Sequence, residues 1–199
     1  MGQSIGNWRM KMNKVDLRLL SEYGETKNLI IKNSEIEECR DLQDICELWN
    51  KDDKEYIEGH KFKENYIEKC IKEGDLPPIK DAKVEFYKIK SIYLKDEKKI
   101  IGFLDAYHGY PSLNSFFIST FVISPKYQKN GYAQEVIEYI SNEVKNLDYE
   151  RICIGVYLKN WKALRFWTKA GFDKILGIYG DKNYSENTYA FIGLEKRLV

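Results

Sequence analysis

The chain has 199 residues, 43% of them hydrophobic and 14% aromatic, a size and composition that suit one domain with a substantial core. Its 32 Lys and Arg nearly balance 31 Asp and Glu, for a formal charge of +1. That argues against a general nucleic-acid partner, which calls for a clear basic excess. No apolar run approaches the roughly 20 residues of a membrane span, so no membrane partner is expected.

In chain order, the opening "MGQSIGNWRMKMNK" lacks the apolar middle of a secretory signal. It begins Met-Gly, but Gly6 stands where a myristoylation pattern has Ser or Thr. Residues 1–27 are polar and weakly periodic, and are expected to form an N-terminal arm or accessory element, with a short helix around "KVDLRLLSEYG". The main domain then spans residues 28–199. "NLIIK" reads as a strand. Ser34 with Glu37 makes a capping-box pattern before the helix "EIEECRDLQDICELWN". The charged piece "KDDKEYIEGHKFKENYIEKCIKEGD" is expected to be helical with a solvated face, and "DLPPIKD" is a loop.

Two strand-like runs, "VEFYKIKSIYL" and "KIIGFLDAYHGY", flank the polar turn "KDEKK" and predict an antiparallel hairpin. "NSFFISTFVIS" is a further strand. Beyond Gly131, the residues Ala133, Val136, Ile137, Ile140 and Val144 recur at helical spacing. "RICIGVYL" is the next strand, so residues 116–158 read as a strand–helix–strand crossover. "NWKALRFWTKAGF" is a helix stopped by Gly171 in the C′ position. "DKILGIYG" and "NTYAFIGLEKRL" are the last strands. The fold class expected is α/β (α+β): a mixed, mostly antiparallel sheet with helices on both faces and one parallel crossover.

Cys39, Cys46, Cys70 and Cys153 form no C-x-x-C and lie far from the two histidines. This pattern fits reduced thiols in a cytoplasmic protein rather than a zinc site or a disulfide framework; no metal is expected. Cys39 and Cys46 share a helix face and read as buried small apolar residues.

At "VISPKYQKNGYAQEVIEYI" a chain rich in large side chains turns small. A helix that starts straight after a strand exposes unpaired N–H groups and the positive end of its dipole, a ready anion site. Gly131 lets the backbone approach a ligand, Ala133 keeps the first turn narrow, and Lys126 and Lys129 add positive charge. The turn is neither a P-loop nor a dinucleotide fingerprint. On its own it reads equally well as a plain strand-to-helix turn with a left-handed glycine.

"QKNGYA" (Gln128–Ala133) resembles the Q/R-x-x-G-x-G/A pattern of the GCN5-related N-acetyltransferase (GNAT) superfamily, and "VISPKY" resembles its V-x-P-x-Y/F entry. Starting 27 residues after Ala133, "NWKALRFWTKAGF" is similar to the second hallmark, N-x-x-A-x-x-F-Y-x-K-x-G-F. The resemblance covers residues 28 to about 197. It implies a fold in which the family's fourth and fifth strands, here "NSFFISTFVIS" and "RICIGVYL", splay apart around acetyl-CoA as co-substrate. By that analogy Phe121, Val122 and Ile123 would pair their backbone with the pantetheine. The amides of Gln128, Lys129, Asn130, Gly131, Tyr132, Ala133 and Gln134 would hold the pyrophosphate. Asn160 would contact the pantetheine, or simply cap the next helix, and Trp167 would belong to the same cofactor-binding set.

The resemblance implies direct acetyl transfer to a primary amine of an amine-bearing acceptor, with a homodimer as an allowed assembly. The usual proton-handling groups do not carry over. The Glu that many members have on the fourth strand is here Phe117. The Tyr of the last helix is Trp167, whose indole donates a hydrogen bond but is no practical acid. Asp105, His108 and Tyr157 are the replacement candidates, with Asp105 and Tyr157 chosen as catalytic. Each also has a plain structural reading: a tyrosine at position 157 is more often core than catalytic, and His108 reads as a loop residue. The alternative is a non-catalytic acyl-CoA-binding sensor or interaction module. Small amines, aminoglycoside-like antibiotics, amino acids, peptide N-termini and lysines all remain as acceptors, with "DAYHGYPSLNSFF" suggesting a partly apolar pocket.

Overall fold

The computed structural model describes residues 19–51, 54–183 and 185–198. Among the described residues, eight strands make one sheet: β1 (Tyr23–Glu25), β2 (Leu29–Asn33), β3 (Tyr87–Leu94), β4 (Lys99–His108), β5 (Ser115–Ile123), β6 (Arg151–Tyr157), β7 (Lys174–Gly180) and β8 (Ala190–Arg197). Their spatial order is β1-β2-β3-β4-β5-β6-β8-β7. Every neighbouring pair is antiparallel except β5 and β6. The α-helices among the described residues are α1 (Cys39–Lys51), α2 (Lys54–Glu58), α3 (Tyr66–Glu73), α4 (Tyr132–Asn146) and α5 (Trp161–Lys169). The mixed, mostly antiparallel sheet with one parallel crossover is the fold class expected.

Apolar periodicity explains how the layers form. On α4 the residues Val136, Ile137, Ile140 and Val144 are all fully buried. They join Leu29, Ile31, Phe116 and Ile118 of the sheet and Trp167 and Phe172 of the α5 segment in one core. Each such side chain contributes about 1.5–3 kcal/mol by leaving water. The opposite face carries a second core, where Leu42, Ile45 and Cys46 of α1 and Ile67 and Cys70 of α3 pack on Tyr87, Ile89, Phe103 and Val122. Helices therefore cover both faces. None of the helices among the described residues is long and apolar enough to cross a membrane.

Several local expectations need correction. The helix α1 is preceded by a 3-10 turn (Ile36–Glu38), and the capping pair is one residue later than Ser34 and Glu37. Glu35 donates its N–H to Glu38 Oε2 at 3.0 Å, while Ser34 Oγ bonds Ser91 Oγ at 2.9 Å. Glu38 also accepts from Ser91 at 2.6 Å, so the sheet, not the local box, fixes which carboxylate turns inward. The charged segment is broken into α2 and α3 by an irregular stretch, 59–65. "VEF" at Val84–Phe86 is a 3-10 turn, and the strand begins at Tyr87. Residues 19–22 are irregular and Tyr23–Glu25 pairs with β2, so the described part of the expected helix around 14–24 is not helical; the remainder lies outside the described residues. Cys46, Cys70 and Cys153 are buried cysteines outside any disulfide, whereas Cys39 is only half-buried.

Candidate functional site

The parallel pairing of β5 and β6 is short. Ser115, Phe116, Phe117 and Ile118 face Arg151, Ile152, Cys153 and Ile154, and the register then ends. Beyond that point β5 continues beside β4 as far as Ile123 opposite Gly102. Likewise β6 continues beside β8 as far as Tyr157 opposite Phe191. Each strand keeps its outer neighbour and loses its inner one. Alternate residues of a strand direct N–H and C=O to each side, so the β6-facing backbone groups of Ser119–Ile123 look into a gap. A β-bulge starts the divergence: Asp105 pairs with Thr120 and Ala106 with Ile118, leaving Ser119 without a partner.

The gap is a cavity of about 520 Å³, whose walls include Phe121, Val122, Tyr157, Asn160 and Trp167. Ile123 is buried at its margin rather than in its wall, and its carbonyl accepts from Gln128 Nε2 at 2.9 Å. Trp167, 8% exposed, closes the gap on the α5 side. Its ring lies 5.9 Å from Phe121, 5.1 Å from Phe166 and 4.8 Å from Phe172.

Two ends of α5 hold that wall in place. Asn160 caps the N-terminus, its Oδ1 accepting the Ala163 N–H at 3.0 Å, while also lining the cavity. At the C-terminus Gly171 (φ +92°) donates to Thr168 O and Phe172 donates to Trp167 O, both at 3.1 Å. This is a Schellman closure, with the Phe172–Trp167 ring contact as its apolar clasp.

The glycine turn sits beyond the far end of β5. After the 3-10 turn Pro125–Tyr127, Lys129 (φ +66°) and Gly131 (φ +86°) both take left-handed backbone, which a glycine adopts without penalty. Gly131 is the N-cap of α4, and its carbonyl accepts the Glu135 N–H at 3.0 Å. The N–H groups of Tyr132, Ala133 and Gln134 then have no intrahelical carbonyl within reach. A Cβ built on Gly131 would meet nothing within 4 Å, so the turn is open at that point. Asn130 Nδ2 braces it with contacts of 3.3 Å to the carbonyls of Tyr127 and Gln128. Glu135 ties the first turn of α4 to the β1–β2 turn, accepting from Asn28 N at 2.7 Å and Asn28 Nδ2 at 2.8 Å. None of Gln128–Gln134 is in the cavity wall; they form the turn after β5 and the start of α4.

Asp105 lies on β4 at the bulge and is completely buried. Its Oδ1 accepts the Thr120 N–H at 2.6 Å, and its Oδ2 accepts the Tyr87 hydroxyl at 2.9 Å. Burial pushes its pKa up to about 7, against the lowering effect of the Tyr87 hydrogen bond. Asp105 does not itself line the cavity. Tyr66, on α3, does. The Tyr66 hydroxyl stands 3.3 Å from Asp105 Oδ2, 3.1 Å from Thr120 Oγ1 and 3.4 Å from Asp75 Oδ2. Burial raises the Tyr66 pKa far above that of a free phenol, so it holds its proton at neutral pH. The cluster thus joins one buried carboxylate, ionising near neutrality, to one hydroxyl in the cavity wall.

Tyr157 is half-buried in the same wall, packs on Phe191 at 6.0 Å, and has its pKa raised by burial. Phe117 is not in the wall of this cavity and packs edge-on against Tyr110 at 5.0 Å. His108 is no loop residue: it ends β4, fully buried. Its Nε2 accepts the Leu20 N–H at 3.1 Å and its Nδ1 donates to Phe86 O at 2.9 Å. Burial lowers its pKa to about 4, so it is a neutral structural histidine. Tyr66, Tyr87, Thr120 and Asp75 escaped the sequence reading, because nothing local distinguishes them from helix-face or strand residues. Among the described residues, no cluster of three or more His, Cys, Asp or Glu is placed to hold a metal.

The family model described as "Acetyltransferase (GNAT) family" matches residues 37–172, more than half of the chain. No curated protein matches it in sequence. Solved structures share its fold. A GNAT-family acetyltransferase from Bacillus anthracis is 18% identical, with a TM-score of 0.66 over 88% of this chain and 98% of that one. A probable GNAT acetyltransferase from Chromobacterium violaceum is 12% identical, with a TM-score of 0.69 over 92% of each chain. A spermidine/spermine N-acetyltransferase from Vibrio cholerae is 15% identical, with a TM-score of 0.60 over 86% of this chain and 93% of that one.

Proposed function

The chain belongs to the GNAT acetyltransferase family, and from that premise we propose that it moves the acetyl group of acetyl-CoA directly to a primary amine. The observation that carries the reading is the early end of the β5–β6 pairing after Ile118 and Ile154. It opens a cavity between the two strands, with a helix start suited to phosphate following β5 and, behind the Tyr66 wall, a buried carboxylate that ionises near neutrality. The carboxylate cluster favours catalysis over a purely binding role.

Acetyl-CoA supplies an acyl group already activated as a thioester. The amides of Gln128–Gln134 hold its pyrophosphate at the positive end of α4. The backbone of Phe121, Val122 and Ile123 and the side chain of Asn160 align its pantetheine along the open edge of β5. Trp167 closes the cavity and excludes water.

The acceptor must be neutral to attack. An amine of pKa about 10.4 is roughly one part in 2,500 neutral at pH 7, a cost of about 4.6 kcal/mol. Asp105 offsets part of this by taking the proton through Tyr66: the hydroxyl passes its own proton to Asp105 Oδ2 as it receives the amine's. Tyr157, protonated at neutral pH, donates a hydrogen bond to the departing sulfur. Proximity in the cavity supplies much of the remaining acceleration.

Calorimetry tests acetyl-CoA binding. Acetyl-CoA should bind in the micromolar range of enzyme substrates and raise the melting temperature, while acetate and NAD stay silent. Neither heat nor thermal stabilisation with acetyl-CoA would reject the reading.

A further inference from the structure

A second cavity, of about 390 Å³, adjoins the first, and the two share Asp75, Ser119, Ile154 and Gly155 as walls. Its size falls in the range of small-molecule sites. Two ring pairs flank it. On one side Tyr110 meets Phe117 edge-on at 5.0 Å. On the other Tyr179 stacks on Phe191 at 5.3 Å, with planes 24° apart.

The floor between them is cut low by two glycines in register, Gly155 on β6 and Gly193 on β8. A Cβ on Gly155 would come within 3.2 Å of the Phe191 ring, and one on Gly193 within 3.1 Å of the Tyr179 ring. A Cβ at either position would press on a ring, which would have to give by a few tenths of an ångström. The two glycines therefore let the Tyr179–Phe191 pair sit close on the β6–β8 backbone, and the cavity is bounded by that pair and by the Tyr110–Phe117 pair. Among the described residues that line this cavity, Asp75 is the one carboxylate, and it stands where the two cavities meet, 3.4 Å from the Tyr66 hydroxyl.

We propose that this second cavity is the acceptor site and that it takes primary amines carrying an aromatic ring on a short linker. The ring lies between the Tyr110–Phe117 and Tyr179–Phe191 pairs, where offset and edge-to-face contacts are favourable. The ammonium group lies at Asp75, facing Ser119 and the open edge of β5. One carboxylate matches one positive charge. A polyamine, with several charges along its length, would have to place cations against rings and prolines with no second carboxylate among the described residues that line this cavity. The placement of the amine toward the first cavity rests on the acetyl-transfer reading; the existence and ring-selectivity of the pocket do not.

The test is calorimetric titration of the full chain, in the presence of CoA, with 2-phenylethylamine, n-propylamine, spermidine and a lysine-containing tripeptide. We expect 2-phenylethylamine to bind at least tenfold more tightly than each of the others. Tyr179→Ala, at a position 48% exposed and so tolerable to the fold, should erase most of that preference. Equal binding of n-propylamine, or tighter binding of spermidine or the peptide, overturns the inference. Amine-dependent thiol release from acetyl-CoA is recorded alongside. Ring-selective binding without thiol release would support the pocket and reject acetyl transfer. Thiol release with spermidine or the peptide preferred would do the reverse.

Discussion

The Tyr66 hydroxyl stands 3.3 Å from Asp105 Oδ2 across 39 residues of sequence, and it is the link between a fully buried carboxylate and the cavity between β5 and β6. Asp105 already accepts from Thr120 N–H and the Tyr87 hydroxyl, so it is held rigidly at the bulge. With a pKa near 7, it is poised to gain and lose a proton at neutral pH. Asp105→Asn should lower kcat/KM at least tenfold, about 1.4 kcal/mol of barrier, and remove a rising limb near pH 7. Tyr66→Phe should cost a similar factor. Unchanged pH profiles in both variants would remove this cluster from the mechanism.

The same carboxylate has a signature in stability. Its folded pKa of about 7 lies above the ordinary 3.8, so between those values the folded state binds the extra proton and stability falls as pH rises. His108 works the other way. Its folded pKa of about 4 lies below 6.5, so stability rises with pH across that window. The two slopes oppose each other between pH 4 and 6.5. Asp105→Asn should expose the His108 slope, giving a melting temperature that climbs from pH 4 to 6.5 more steeply than in the parent chain. A variant curve that is flat or falling there would contradict the assignment.

Trp167 stands where the resemblance implies a tyrosine. Its ring contacts with Phe121, Phe166 and Phe172 place it in a packed aromatic wall. Trp167→Tyr should therefore lower turnover, change CoA affinity by less than about threefold and cost about 1–3 kcal/mol of stability. Tyr157→Phe, which removes the hydroxyl while keeping the ring on Phe191, should cost at least tenfold in turnover. If Trp167→Tyr instead accelerates the reaction and Tyr157→Phe is neutral, proton delivery belongs to position 167.

Gly131→Val should weaken CoA binding at least tenfold. The space around a Cβ at Gly131 is open, so the fold loses only the strain of φ +86°, about 1–3 kcal/mol for a branched residue. The bound pyrophosphate would meet the new side chain. A well-folded variant with normal CoA affinity, compared by calorimetry, would remove the phosphate role from this turn.

Much of this architecture was legible because its signals are local. The spacing of Val136, Ile137, Ile140 and Val144 marks the face of α4, and Asn160 and Gly171 mark the ends of α5. The small residues at Gly131 mark the turn before α4. The positive φ and the Ala163 N–H bond bear these readings out. The proton-handling cluster was only half legible. Asp105 is odd in an apolar strand and could be singled out, but Tyr66 reads as one more aromatic on an amphipathic helix. Only the packing of α3 over β4 brings them together. His108 misled for the same reason: the Leu20 N–H and the Phe86 carbonyl that satisfy it come from distant segments. The capping pair slipped from Ser34 and Glu37 to Glu35 and Glu38 because Ser91, far along the chain, selects Glu38 as the inward carboxylate.

The most direct test of acetyl transfer is free-thiol release from acetyl-CoA, followed with and without a panel of primary amines. The panel should include ring-bearing amines, a polyamine, an aminoglycoside, an amino acid and a lysyl peptide. Release should depend on amine, saturate at micromolar acetyl-CoA and yield one thiol per amine acetylated. Thiol release that is absent throughout the panel, in protein that demonstrably binds acetyl-CoA, would contradict catalysis and leave an acyl-CoA-binding module in its place.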